Sequence, residues 1–119
     1  MDLNEWAEAF YANAKDKGFY DKPETEDEYV ERACNNLHDE ISELHEAWRN
    51  NRLREPCDKA DKMTAMGLFP LTCLEEELAD IVIRALDNAK RLGVDIEYAV
   101  SRKHDFNRTR EPRHGGKRS

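Results

Sequence analysis

The chain has 119 residues, of which 39% are hydrophobic and 38% charged, and a net charge of −7. That length is one domain with a modest core, short enough for a partner subunit to complete it. No apolar run is long enough for a bilayer, and the acidic, amphipathic start Met1-Asp2-Leu3-Asn4-Glu5-Trp6 is no secretory signal, so no membrane partner is expected. Cys34, Cys57 and Cys73 are odd in number and lack C-x-x-C spacing, which reads as reduced thiols in a cytoplasmic protein and argues against zinc.

Asp2 and Glu5 are spaced as a capping box for a first helix over 3–17, with Leu3, Trp6, Ala7, Phe10 and Ala14 as its apolar stripe. Gly18 suits the left-handed position past its end, and Asp21-Lys22-Pro23 then breaks the pattern. Thr25-x-x-Glu28 opens a second helix that should run to about Asn50. Along it Val30, Ala33, Leu37, Ile41, Leu44 and Trp48 gather into one core-facing stripe. Glu40 falls inside that arc, one turn from Leu37 and from Leu44, and Glu43 follows at i+3 on the same flank.

Residues 51–71 are the least periodic part of the chain, punctuated by Pro56, Gly67 and Pro70, with a short helical turn suggested over 57–65. Thr72-x-x-Glu75 opens a third helix that Gly93 ends, which assigns Glu75 to capping rather than to ligation. Its stripe is Leu74, Leu78, Ile81, Val82, Ala85, Ala89 and Leu92, with Glu77 at the edge and Asp80 at i+3. Asp95 caps a fourth helix over 96–107, with Ile96, Ala99 and Val100, and His104 as a further candidate, facing inward. A basic tail, 108–119, follows. The expected architecture is all-α, a bundle of four principal helices in a single domain over 1–119.

Two helices thus each carry a pair of carboxylates one turn apart beside an apolar stripe. Acidic pairs at this spacing most often form a solvated face. Here Glu40 lies within an apolar arc, and the pattern recurs on the next long helix. Four carboxylates within about 5 Å repel by about 3 kcal/mol per pair at an effective dielectric near 20, so the set calls for a cation or raised pKa values. Ligands without thiolate or imidazole suit Mg²⁺, with Mn²⁺ as the alternative. His38 and His45 have Asn35 and Ser42 at i−3, so the E-x-x-H pairs of a di-iron bundle are missing.

Mg²⁺ held by a few carboxylates takes substrate phosphate oxygens as further ligands. From Arg102 onward seven Lys or Arg stand against two acids, so this end carries +5 and the remainder −12. Lys103, Arg110 and Lys117 are positioned to meet the phosphates. No G-x-x-x-x-G-K-[ST] loop is present, which excludes P-loop chemistry.

Asp39-Glu40-x-x-Glu43 followed by Glu77-x-x-Asp80 resembles the E-E-x-x-E, E-x-x-D signature of the MazG-like all-α nucleoside triphosphate pyrophosphohydrolases. The similarity extends to 14–20, to Lys103-His104-Asp105-Phe106-Asn107-Arg108-Thr109-Arg110 and to His114-Gly115-Gly116-Lys117, and the chain departs from the signature at Asp39. The resemblance implies Mg²⁺-dependent cleavage of a nucleoside or deoxynucleoside triphosphate between its α and β phosphates, releasing monophosphate and pyrophosphate. By position it makes Glu40, Glu43, Glu77 and Asp80 the catalytic metal ligands, Lys103, Asn107, Arg110 and Lys117 phosphate-facing groups, and Asn13 a reader of the base. Trp6, Phe10, Tyr11 and Trp48 are further base-facing candidates, each with a core role as the simpler account.

The resemblance also points to a homodimer or homotetramer, as does the number of amphipathic helices in so short a chain. Against the hydrolase stand two other readings. One is a helical assembly or regulatory module that binds nucleotide or metal without turnover. The other, less favoured, is a nucleic-acid arm formed by the basic end.

Overall fold

Each long helix begins where a short polar side chain closes its first turn. Asp2, Thr25 and Thr72 accept the backbone N–H groups of Glu5, Glu28 and Glu75, whose carboxylates bond back to the capping residues' own N–H groups. Asp95 accepts from the Tyr98 N–H and opens the last helix. The computed structural model describes residues 1–110. Among them the helices are α1 (Leu3–Asp16), α2 (Glu26–Arg49), α3 (Ala60–Ala65), α4 (Cys73–Arg91) and α5 (Ile96–Arg108). Gly18 and Gly93 take φ of 85° and 73° just past α1 and α4, the left-handed conformation that ends a helix at little cost without a Cβ. The fold is therefore all-α, and none of these helices is long and apolar enough to cross a membrane.

Helix α4 is the centre of the arrangement. It packs against both α1 and α2, which do not approach one another, and α5 touches only α1 and α4. Small side chains let the backbones come close: Ala7 and Ala14 of α1, Ala33 of α2 and Ala89 of α4 are buried, together with Leu86 and Tyr29. One chain thus forms an open helical layer around α4, and the expected bundle is not closed by a single copy.

That openness overturns part of the expected core. Ile41, Trp48, Leu78 and Val82 lie 48–59% exposed, and Val30, Ala85 and Leu92 are exposed too. The buried edge of α4 instead runs through Cys73, Glu76, Leu86, Asp87 and Ala89. A helix in a single layer is covered only along its lines of contact, so the aliphatic stripes of α2 and α4 are left partly outside. Helix α5 buries no residue, which puts Ala99, Val100 and His104 on the outside. It is clasped at its start by polar contacts: the Leu3 N–H donates to Glu97 at 2.9 Å, and Asn4 Nδ2 donates to Asp95 at 2.8 Å.

The connection over 51–71 is more ordered than its composition suggests. The Cys57 N–H donates to the Leu71 carbonyl at 2.9 Å and the Cys73 N–H to the Glu55 carbonyl at 2.8 Å, and Pro56 pairs with Thr72 in an isolated antiparallel bridge. These bonds close the segment into a loop that carries α3. Beneath it Cys57, Ala60 and Cys73 form a small apolar cluster against Ala47, Met63 and Leu71.

A polar network ties the loop between α1 and α2 to α4. Tyr20 Oη donates to Asp87 Oδ2 and Tyr29 Oη to Asn88 Oδ1, each at 2.5 Å. The Arg91 guanidinium lies over both phenol rings, 4.3 and 4.2 Å from their centroids. Arg32 grips Glu24 through two bonds of 2.9 and 2.7 Å, holding that carboxyl below the usual range. Asp87 is only 2% exposed, and burial pushes its carboxyl up while the Tyr20 bond opposes the shift. Tyr20→Phe removes the partner of this buried carboxylate and should cost about 1–3 kcal/mol of stability in urea unfolding; an unchanged midpoint and slope would show that Asp87 does not depend on it.

Candidate metal centre

The packing of α2 on α4 decides the site. Glu40 and Glu43 come from the middle of α2, and Glu77 and Asp80 from the first half of α4. One carboxylate oxygen from each lies within 4.8 Å of all the others. Glu40, Glu77 and Asp80 are half-buried and Glu43 is more open to solvent. Asp39, the first acid of the α2 motif, is exposed and is not among the clustered acids, so the departure from the signature at that position leaves the cluster intact.

Two observations set this cluster apart from a fully solvated acidic face. Glu40 Oε2 and Glu77 Oε2 are both buried and have no hydrogen-bond partner. A buried carboxylate oxygen left unpaired is costly, and a cation bound among the four would satisfy both. The pKa shifts follow the same physics. Glu77 is pushed up to about 7, first by burial and then by the Glu43 charge beside it. Asp80 is raised as well, first by burial and then by Glu40. The residues present therefore fit a metal cation that takes oxygen ligands.

A cavity of about 560 Å³ opens beside this centre. Glu40, Glu43 and Asp80 form part of its wall, and Phe10, Asn13 and Phe19 supply an apolar and amide surface. A second, more polar cavity of about 310 Å³ lies against Glu43 and Glu77. Asn13, which the family resemblance offered as a base reader, lines this cavity, and so does Phe10, its ring stacked 5.5 Å from Trp6. Tyr11 stacks instead on Tyr20 at 5.3 Å, and the exposed Trp48 on His45 at 5.4 Å.

The basic end is not gathered in the same way. Lys103, Asn107 and Arg110 sit on or just beyond α5 and line neither cavity, with Lys103 and Arg110 placed over the Phe106 ring at 4.9 and 5.7 Å. Lys117 lies outside the described residues. Among the described residues, the cations at the acid centre come from other parts of the chain. Arg84 Nε is 3.4 Å from Glu40, with its guanidinium 5.2 Å from the Phe19 centroid, and Lys59 reaches in from the connection before α3.

Arg84 stands at i+4 from Asp80, a spacing that could have flagged it, whereas nothing local marked Lys59 or Glu76, and Phe19 entered only within the 14–20 similarity. Comparison of the chain with protein-family models, with curated proteins and with solved structures finds no match in any of the three.

The raised carboxyls set a pH dependence of stability. Between the ordinary value of 4.5 and about 7, the folded chain keeps a proton on Glu77 that the unfolded chain has lost. The associated stability is present in full below the lower value and is lost as pH rises through the higher one. The thermal midpoint of the metal-free protein should therefore fall as pH is raised from 4.5 to 7, and Mg²⁺ should raise it more at pH 7.5 than at pH 5. Glu77→Gln should flatten the decline in differential scanning calorimetry; a steeper slope in that variant, or an equal Mg²⁺ effect at both pH values, would contradict the assignment.

Proposed function

We propose that the chain is a Mg²⁺-dependent nucleotide pyrophosphohydrolase that cleaves the α–β phosphoanhydride of a nucleoside or deoxynucleoside triphosphate. The observation that carries this reading is the four-carboxylate centre with two unpartnered buried oxygens, set beside a cavity with aromatic and amide walls. The order Glu40-x-x-Glu43 then Glu77-x-x-Asp80, with its resemblance to the MazG-like signature, supports the same reaction.

Glu40, Glu43, Glu77 and Asp80 would hold the ion, and Mg²⁺ when bound neutralises phosphate oxygens and orients the scissile anhydride. The chain's own residues supply the rest. Phe10 and Phe19 offer ring faces to a base, and the Asn13 amide offers both a donor and an acceptor to its edge. Arg84 sits between these two functions, joining the Glu40 carboxylate to the Phe19 ring. Replacing Glu40 by Gln or Asp80 by Asn should lower pyrophosphate release from a panel of triphosphates by about 100-fold or more, with circular dichroism unchanged. Full turnover in either variant would remove the site, and Mg²⁺ binding without turnover of any triphosphate would favour the regulatory module instead.

We further infer that the active form is a homo-oligomer, a dimer or a tetramer. The buried core of one chain consists mainly of alanine and cysteine, with no large side chain below 2% exposure among the described residues. Ile41, Leu78 and Val82 meanwhile remain about half exposed on the two helices that carry the acids. A chain this short with so little of its aliphatic surface covered gains by burying it against a second copy. Sedimentation equilibrium should find more than one chain per particle, and Val82→Glu should shift the population toward monomer; a wild-type monomer at micromolar concentration would refute this.

A further inference from the structure

A nucleoside triphosphate brings several negative charges to a centre that already holds four carboxylates, and one divalent ion offsets only half of the charge on those four. Further positive groups are therefore needed at the phosphates. Among the described residues, the lysines and arginines lining the two cavities beside the centre are Arg52, Lys59 and Arg84. Arg52 pairs with Glu55 at 3.4 Å and borders only the smaller cavity. Arg84 borders only the larger one and is engaged by Glu40 and the Phe19 ring.

Lys59 differs from both. It lines both cavities, as do Glu43 and Glu76, so it stands where the two meet beside the acid cluster. Its ammonium is held by Glu76 Oε1 at 2.5 Å, with Asp58 further off at 3.4 Å. Glu76 precedes the ligand Glu77 but is not one of the four clustered acids, and it is 7% exposed. An anchor that is itself fixed by burial holds the long lysine arm in place. The Lys59 side chain nevertheless remains 58% exposed. Glu76 occupies one of the three ammonium donors closely, and a donor is left for a ligand in the cavity.

We propose that Lys59, steered by Glu76, binds the pyrophosphate portion of the substrate across the divide between the two cavities, donating to a non-bridging phosphate oxygen. The proposal rests on the hydrolase reading for its substrate, but its chemistry is testable without turnover. Inorganic pyrophosphate with saturating Mg²⁺ is the probe, titrated calorimetrically into wild type, Lys59→Met and Lys59→Arg. Binding of Mn²⁺ alone is followed in parallel by electron paramagnetic resonance.

Loss of one charge-assisted bond should weaken pyrophosphate binding about 10- to 100-fold in the Met variant, with Mn²⁺ affinity unchanged and most pyrophosphate affinity restored by Arg. The double variant Lys59→Met with Glu76→Gln, which leaves no buried charge unpaired, should show the same weakening if the single variant fails to fold. Equal pyrophosphate affinity in a folded Met or double variant would overturn the proposal. So would a parallel loss of Mn²⁺ affinity, the signature of a merely structural ion pair, or a wild-type protein that does not bind pyrophosphate. Lys59-dependent binding in a protein that hydrolyses no triphosphate would uphold the proposal and overturn the hydrolase reading.

Discussion

The structure depends on a conflict between packing and charge where α2 meets α4. Favourable contact between these helices drives together four carboxylates that repel one another. At about 3 kcal/mol per pair at this spacing, the repulsion is comparable to the stability of many small domains, so full ionisation without a counter-charge is untenable. Burial and the neighbouring charges push the Glu77 carboxyl up to about 7 and raise that of Asp80, which favours their neutral forms. The two unpartnered oxygens mark what protons and neighbouring side chains leave undone.

The remainder of the fold holds that arrangement from outside. The capping boxes fix where α2 and α4 begin, and therefore the phase at which their acids point toward each other. The tyrosine–arginine network locks the far half of α4 to the loop before α2. The backbone bonds at 55–57 and 71–73 return the connection to the start of α4 and bring Lys59 beside Glu76. What the single layer does not provide is thick apolar cover, since its buried residues are mostly small. Precise placement of charge and generous burial of hydrocarbon are thus separated in this chain, the first achieved within one copy and the second left incomplete.

Among the described residues, the cations beside the acids are not those of the basic C-terminal end. Lys103 and Arg110 lie over Phe106, while the lysine and arginine described beside the acids are Lys59, from the connection before α3, and Arg84, from α4. Arg84 shares a helix with Asp80, so ordinary helical spacing relates the two. Lys59 is 17 residues from Glu76, and only a closed loop brings them together.

The sequence by itself determined the helices, their caps and the two acid pairs, because each rests on interactions within three or four residues and the helical repeat carries them to one face. Asn13 was singled out by the family resemblance rather than by periodicity, and Phe10 read first as a core residue. The tertiary structure decided which flank of each stripe is covered, left Ile41, Trp48, Leu78 and Val82 outside, and turned Glu76 and Asp87 into the buried edge of α4. Periodicity shows that a helix has an apolar side, but how much of that side is buried depends on neighbours in space, and in an open layer those neighbours reach only part of it.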